Sequence, residues 1–179
     1  MGDNFVINIG RQLGSGGREI GEKLAASLEI SFYDKELINL ASEESGLCRD
    51  FFEKADEKPS QPLMNGLFGM RFPFPNDSIM ACNSCLSNDA LFKVQSDVIR
   101  KLAAEKSCLF VGRCADYILR DHPRHVNVFV SASIDDRIER LCQTMHVSKA
   151  EAEELIERTD KKRSEYYNYY SYKTWGAAA

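Results

Sequence analysis

The sequence lacks both a long apolar run and an excess of positive charge. A membrane-spanning helix needs roughly 20 consecutive apolar residues, and no stretch of this chain approaches that length. Lysine and arginine number 23 against 27 aspartates and glutamates, so the net charge is −4. Because nucleic-acid binding relies on clustered cations, we expect no membrane and no nucleic acid among its partners. The first residues do not resemble a secretory signal, so a cytoplasmic location is expected.

Histidine is scarce, and the cysteines are not spaced as a complete metal site. The three histidines are not arranged as a nucleophilic triad or a metal site. Cys82 and Cys85 have zinc or redox spacing, but no second pair or nearby histidine completes four ligands. We therefore expect reduced thiols and no metal site built by the protein. Cys108 and Cys142 fall at apolar positions, where a thiol packs as a small hydrophobe.

Proline is also scarce, and its distribution is uneven. Four of the five prolines fall between Lys58 and Asn88, which indicates a loop rather than helices or strands. This segment is also rich in phenylalanine and leucine, so we expect it to pack on a substrate or a second subunit. We predict a mobile insertion over residues 58–88 within a single domain over residues 1–179.

Apolar spacing alternates between strand and helix patterns along the chain. Short apolar runs at residues 5–9, 30–34, 107–111 and 126–130 predict strands, and the third run predicts a central parallel strand buried on both faces. In the segments between these runs, the apolar residues recur at helical spacing. Strands separated by helices predict an α/β protein with a parallel sheet flanked by helices on both faces.

Three further patterns concern individual helices. The spacing of Ile20, Leu24, Ala25 and Leu28 predicts a helix that buries this face. Ser133 with Asp136 and Ser148 with Glu151 predict the starts of two more helices, the second with a capping box.

Five of the seven tyrosines lie in the segment 166–175. Such an aromatic segment most often packs against its own domain or a partner subunit, and stacking on a nucleotide base is the alternative.

The most informative segment is the glycine-dense turn at residues 10–21, between the first strand and the first helix. Glycines allow positive φ, so successive N–H groups can face one anion at the start of a helix. The standard phosphate loop has the pattern Gly-x4-Gly-Lys-[Ser/Thr]. With Gly16 as the second glycine, Gly17 replaces the lysine and Arg18 the hydroxyl. A shift by one residue places Arg18 at the lysine and Glu19 at the hydroxyl, so the sequence predicts a phosphate cradle without the standard motif.

Two polar residues end predicted strands, at the edge of a parallel sheet where ligands bind. Arg113 follows the third strand and can hold a phosphate or carboxylate bidentately. Its alternative role is to cap a helix or to pair with Asp116. Asp34 ends the second strand, and its alternative role is to cap the helix that begins at Lys35.

Two neighbouring helices near the C-terminus carry a group of cations. They form either a basic clamp that closes on a polyphosphate or an ordinary solvated surface. The group comprises Arg137, Arg140, Arg158, Lys162 and Arg163.

Taken together, these segments resemble the cytidylate kinase-like family, a divergent branch of the P-loop nucleoside monophosphate kinases. The likeness covers nearly the whole chain and is carried by residues 14–20, 32–38, 111–113, 136–137 and 158–167. It implies a fold of the P-loop nucleoside-triphosphate-hydrolase type, with the insertion at 58–88 near the acceptor and a helical lid over residues 134–165. It also implies transfer of the γ-phosphoryl group of ATP, with Mg²⁺, to a nucleoside monophosphate or a related small-molecule phosphate acceptor.

The resemblance assigns residue roles by position. Either Arg18 or Arg11 would replace the missing lysine, and Asp116 would replace the aspartate that the family has where this chain has Cys114. The implied phosphate-binding residues are Arg11, Gly14, Ser15, Gly16, Gly17 and Arg18. The implied catalytic residues are Arg18, Arg137, Arg158, Asp160 and Arg163. The implied acceptor-binding residues are Asp34, Arg113 and Asp116, with Mg²⁺ held largely by phosphate oxygens and water.

Two other interpretations remain open at the level of sequence. The altered loop is compatible with a nucleotide-binding module without catalysis. The aromatic tail and the Phe68–Phe74 segment are compatible with an interaction protein that forms a homo-oligomer.

Overall fold

The computed structural model describes residues 4–35 and 88–177. The described elements, in chain order, are β1 (Val6–Arg11), α1 (Gly17–Ser27), β2 (Ser31–Tyr33), α2 (Asn88–Glu105), β3 (Cys108–Val111), α3 (Ala115–Ile118), β4 (His125–Val130), α4 (Ile134–Met145) and α5 (Lys149–Ser171). The predicted insertion lies outside the described residues except for Asn88. Cys48, Cys82 and Cys85 also lie outside them.

The described strands form a parallel sheet in the order β2-β3-β1-β4. Strand β3 lies between β2 and β1, and all four of its residues are completely buried. Such a continuous apolar strand is expected where helices cover both faces of a sheet. The predicted central strand and the parallel α/β sheet are therefore confirmed.

Alternate residues of the strands face two separate cores. Val6 and Phe110 pack with Ile99 of α2 on one face of the sheet. Ile9 and Leu109 pack with Ala25 of α1 on the other face. This alternation follows from the two-residue period of a strand, and it places α1 on the face opposite to α2.

Helix α1 is present as predicted, but it buries a different face. Ile20, Leu24 and Leu28 are 49%, 36% and 44% exposed, whereas Gly21 and Ala25 are buried. A Cβ on Gly21 would lie 3.2 Å from side chains of β1 and β3. The helix backbone approaches the sheet through its smallest residues, and the larger side chains are therefore turned aside. The predicted burial of Ile20, Leu24 and Leu28 was wrong, while that of Ala25 is confirmed.

Helices α4 and α5 begin at the predicted residues. The Ser133 hydroxyl accepts a hydrogen bond from the Asp136 N–H, 3.2 Å away. Ser148 and Glu151 form a complete capping box, and hydrogen bonds from the Ser148 hydroxyl and N–H lower the pKa of Glu151. Both capping predictions are confirmed.

The two helices pack on each other through a small core. Leu141, Ala152 and Ile156 are buried there, and Leu13 from the glycine-rich turn packs against them. The core of the α4–α5 pair therefore extends to the turn that follows β1.

The end of α5 packs on the same domain. Tyr166, Tyr167 and Tyr170 contact the core that contains Val6, and the rings of Tyr170 and Phe92 stack with centroids 4.0 Å apart. The expectation that the aromatic segment packs against its own domain is confirmed for these three tyrosines. Within the described ranges, no helix has the length and apolar character needed to cross a membrane.

Candidate functional site

The turn between β1 and α1 has the backbone geometry of an anion cradle. Gly14 and Gly16 have φ values of +78° and +80°, which glycine adopts without strain. The Ser15 hydroxyl and N–H donate to the Gln12 carbonyl at 2.9 and 3.4 Å. Helix α1 begins directly afterwards at Gly17, so its N-terminal N–H groups and its positive dipole end lie at this turn.

Residues of α4 and α5 bind the backbone of this turn at Leu13. The Leu13 N–H donates to Asp160 Oδ1 at 2.8 Å, and the Leu13 carbonyl accepts from Arg137 Nε at 2.6 Å. Arg137 also pairs with Asp160, and the Arg137 side chain is only 6% exposed. Both backbone groups of Leu13 are therefore bound by one buried ion pair, so Arg137 and Asp160 position the turn.

Arg163 lies one turn further along α5. Its Nη1 donates to the Arg11 carbonyl at 3.3 Å and lies 3.9 Å from Asp160 Oδ1. Burial lowers the pKa of the Arg163 guanidinium, and Asp160 opposes that shift. Arg163 thus fixes the backbone at the end of β1.

Arg18, in the first turn of α1, binds the end of β2. Its Nε and Nη2 donate to Asp34 Oδ2 at 2.9 and 2.8 Å. The Asp34 side chain is 3% exposed, whereas the Arg18 side chain is 62% exposed. A residue assigned to the phosphate loop therefore contacts a residue assigned to the acceptor.

The turn after β3 has an unusual backbone. Gly112, Arg113 and Cys114 have φ values of +80°, +57° and +55° in succession. Non-glycine residues in this region are strained and are found preferentially at functional sites. The Arg113 guanidinium lies 5.4 Å from the centre of the Tyr166 ring, which is within cation–π range.

Asp116 accepts a hydrogen bond from the Tyr167 hydroxyl at 2.6 Å. Burial is the largest cause of the raised pKa of Tyr167, and the Asp116 carboxylate adds to it. Tyr166 and Tyr167 follow Arg163 at helical spacing of three and four residues, which places all three on one side of α5. The two tyrosines were not predicted as site residues, although this spacing could have identified them.

A cleft of about 1670 Å³ runs along this edge of the sheet, and residues from the ends of β1, β2 and β3 and from α5 line it. Among the residues that the structure describes, the carboxylates that line it are Asp34 and Asp116. The cations that line it are Arg11, Arg18, Lys35, Arg113, Arg120, Lys162, Arg163 and Lys173. A protein of net charge −4 therefore concentrates positive charge in one cleft, which favours an anionic ligand.

The other predicted site residues, which include Gly14, Ser15, Gly16 and Gly17, lie outside the cleft lining. Arg158 is exposed on α5. Arg137 and Asp160 bind the backbone of Leu13 in the turn. Arg140 of α4 pairs with Glu19, and its guanidinium carbon lies 3.3 Å from where a Cβ of Gly16 would be. Arg140 therefore stands beside the cradle.

No group of three or more His, Cys, Asp or Glu side chains suited to a metal ion occurs in ranges 4–35 and 88–177.

Three solved structures are similar to this chain. The crystal structure of an uncharacterized protein from Eubacterium ventriosum ATCC 27560 is 26% identical, with a TM-score of 0.70 over 97% of this chain and 82% of that chain. A gluconokinase from Sinorhizobium meliloti 1021 is 14% identical, with a TM-score of 0.45 over 87% of this chain and 74% of that one. A shikimate kinase from Bacteroides thetaiotaomicron is 13% identical, with a TM-score of 0.47 over 92% and 82%.

Among curated proteins, none matches the chain. A family model described as the cytidylate kinase-like family matches residues 6–179. This match, together with the parallel sheet, confirms the predicted P-loop type of fold.

Proposed function

The chain belongs to the cytidylate kinase-like family, and we propose that it transfers the γ-phosphoryl group of ATP to a nucleoside monophosphate or a related small molecule. The family supports a phosphotransferase of the kinase type. The observation that carries the proposal is the basic cleft at the ends of β1, β2 and β3, which Arg11 and Arg18 line from either side of the glycine-rich turn. Its volume of about 1670 Å³ is large enough for a nucleotide.

The donor phosphates would bind at the glycine-rich turn. The positive φ values of Gly14 and Gly16 shape the turn before α1, and the first N–H groups of α1 with its positive dipole end would bind the anion. Arg140, beside Gly16, adds a cation that the Glu19 carboxylate holds in place. Phosphoryl transfer depends mainly on positioning and electrostatic stabilisation, and these groups supply both.

Mg²⁺ bound to the donor would neutralise charge on the transferring phosphoryl. The positions that normally carry the lysine and the hydroxyl hold Gly17 and Arg18 in one register. Magnesium would therefore be held by phosphate oxygens and water, which is a common arrangement for this ion.

The acceptor would bind at the strand ends. Arg113 presents a guanidinium held over the Tyr166 ring, which suits a bidentate contact with the acceptor phosphate. Asp34 presents a carboxylate that Arg18 fixes in one orientation, which suits a hydroxyl or amino group of the acceptor. Asp116, bound by Tyr167, lies further along the same cleft.

The α4–α5 pair would act as the lid over residues 134–165. In this assignment Arg163 contributes its charge to the cleft, whereas Arg137 and Asp160 position the glycine-rich turn. Arg158, exposed on α5, would approach the phosphates only if the lid closed. The insertion over residues 58–88 would cover the acceptor.

The proposal is tested with γ-labelled ATP, Mg²⁺ and a panel of CMP, dCMP, UMP, AMP and GMP. We expect label in at least one nucleoside diphosphate. Asp34→Asn should raise the KM for that acceptor, and Arg100→Ala, which removes a cation from an exposed ion pair on α2, should leave the rate unchanged. ATP binding without transfer to any acceptor would instead support the non-catalytic nucleotide-binding module, which the absence of the usual lysine favours.

A further inference from the structure

Two arginines compete for the role of the missing phosphate-loop lysine, and the geometry separates them. We propose that Arg11, at the end of β1, supplies the cation that a lysine on the helix supplies in standard phosphate loops, whereas Arg18 serves the acceptor side. This inference rests on the proposed function, because it assigns the residue that contacts the donor phosphates.

The first observation concerns the space beside Gly17. A Cβ on Gly17 would lie 2.6 Å from the Arg11 Cβ and 3.3 Å from the Arg11 Cγ. Gly17 is the first residue of α1 and has no positive φ, so its backbone does not require glycine. The stem of Arg11 therefore occupies the place where a side chain at position 17 would begin.

The second observation concerns the direction of the Arg11 side chain. Its guanidinium extends to Gly112 after β3, where a Cβ would contact Nη1 and lie 3.1 Å from Cζ. Arg11 therefore passes between two glycines, one at the start of α1 and one at the end of β3. Arg11 lines the same cleft as Asp34 and Arg113, the residues assigned to the acceptor, so the proposed function places it beside the phosphoryl group that is transferred.

The backbone of Arg11 is also fixed. Its carbonyl accepts from Arg163 Nη1 at 3.3 Å, and Arg163 is itself near Asp160. A preorganised cation stabilises developing charge without reorganisation during the reaction. Arg11 is thus a catalytic residue in this proposal, and Arg163 is its positioning residue.

The geometry of Arg18 fits the other role. Two of its N–H groups already bind the buried Asp34 carboxylate, and its side chain extends from α1 towards the end of β2. Withdrawing Arg18 to bind the donor would remove these hydrogen bonds from Asp34. Arg18 is therefore assigned to positioning Asp34.

A rescue experiment tests whether Arg11 supplies the cation of the missing lysine and whether Arg18 positions Asp34. The variants are Arg11→Ala, Arg11→Gly, Arg11→Lys, Arg18→Ala and the double variant Arg11→Gly/Gly17→Lys, with Arg100→Ala as the control that removes a distant positive charge. The double variant has glycine at position 11 because alanine would keep the Cβ that lies 2.6 Å from a Cβ on residue 17. Thermal unfolding first confirms that each is folded. Two readouts follow: affinity for inorganic tripolyphosphate by titration calorimetry, and kcat and KM for labelled phosphoryl transfer.

We expect Arg11→Ala to lower kcat by about 100-fold or more, the effect of removing one preorganised donor, and to weaken tripolyphosphate binding. The double variant should regain at least roughly 10-fold in kcat, because a lysine at position 17 would enter the space vacated by Arg11. Arg11→Lys should retain part of the activity. Arg18→Ala should raise the KM for the acceptor and leave tripolyphosphate affinity unchanged.

The outcomes separate this inference from the proposed function. If wild-type protein transfers no phosphoryl group, the proposed function fails, and tripolyphosphate affinity alone decides the role of Arg11. If folded Arg11→Ala binds tripolyphosphate as wild type does, or if Arg18→Ala loses that affinity instead, the assignment is overturned. If the double variant does not fold, Arg11→Lys is the deciding variant. Loss of all activity in folded Arg11→Lys would indicate that Arg11 has a structural role and would overturn the assignment.

Discussion

Gly14 and Gly16 share a positive φ but differ in what surrounds them. A Cβ on Gly14 would lie 2.8 Å from the Arg137 backbone oxygen, whereas a Cβ on Gly16 would lie 3.3 Å from the end of the Arg140 side chain. A backbone atom in a packed helix cannot move aside, but a guanidinium can.

We therefore expect Gly14→Ala to destabilise the protein more than Gly16→Ala, by about 1–3 kcal/mol, the usual cost of overpacking. The two substitutions carry the same φ strain, so each serves as the control for the other. Urea unfolding of both variants measures the difference, and equal midpoints would show that Gly14 is not packed against α4.

Cys108 is completely buried in the central strand. Burial raises the pKa of its thiol to about 12, from a usual value of 9.0. The unfolded chain therefore releases this proton at lower pH than the folded protein does, so the contribution of Cys108 to stability is present below pH 9.0 and is lost as the pH rises towards about 12.

The expected result is a free energy of unfolding that falls between these pH values, with a smaller fall in Cys108→Ala. Tyr167 and Tyr170 also have raised pKa values, so the comparison with Cys108→Ala isolates the thiol. Identical pH profiles for the two proteins would contradict the assignment.

At the residue scale the sequence predicted candidate site residues but did not supply their contacts. Arg18 and Asp34 are 16 positions apart, and no spacing rule connects the start of a helix with the end of the next strand. Arg137 and Asp160 were predicted as catalytic from resemblance, whereas their burial and their hydrogen bonds to Leu13 depend on how α4 and α5 pack.

At the scale of elements, the ion pair of Arg137 and Asp160 joins the α4–α5 pair to the glycine-rich turn. Asp160→Ala would leave the buried Arg137 guanidinium without this carboxylate and the Leu13 N–H without its acceptor. Removal of one partner of a buried pair typically costs about 3–5 kcal/mol.

We expect that loss in the free energy of unfolding of Asp160→Ala, measured in urea. Glu157→Ala removes an exposed carboxylate from the same helix and should change stability by less than about 0.5 kcal/mol. A similar small effect of both substitutions would mean that the pair does not hold the turn.

The elements differ in how well the sequence predicted them. Strand β3 was predicted correctly because, in a parallel sheet, a short continuous apolar run is typical of a strand that is buried on both faces. Helix α1 was predicted to exist, but its buried face was not, because the close approach at Gly21 depends on side chains from two strands. The capping residues of α4 and α5 act locally, so the sequence was sufficient for them.

At the scale of the whole molecule, the net charge of the chain is negative, whereas the charged side chains of the candidate site are mostly positive. The chain has a net charge of −4, yet the charged residues among those described that line the cleft are mostly cations. No average over the sequence predicts this, because the cations come from the ends of β1 and β3, from α1 and from α5. The order of the strands brings them together, and that order follows from the parallel connections rather than from any single motif.

The measurement that most directly tests whether this cleft is a kinase site is a single turnover with protein in excess over γ-labelled ATP, Mg²⁺ and CMP. Excess protein removes any dependence on product release, so even a slow reaction is detected. The proposed function predicts that the label moves from ATP to CDP, and that Arg100→Ala does so at the same rate. Label that stays in ATP, or that appears only as inorganic phosphate, would contradict phosphoryl transfer to the nucleotide.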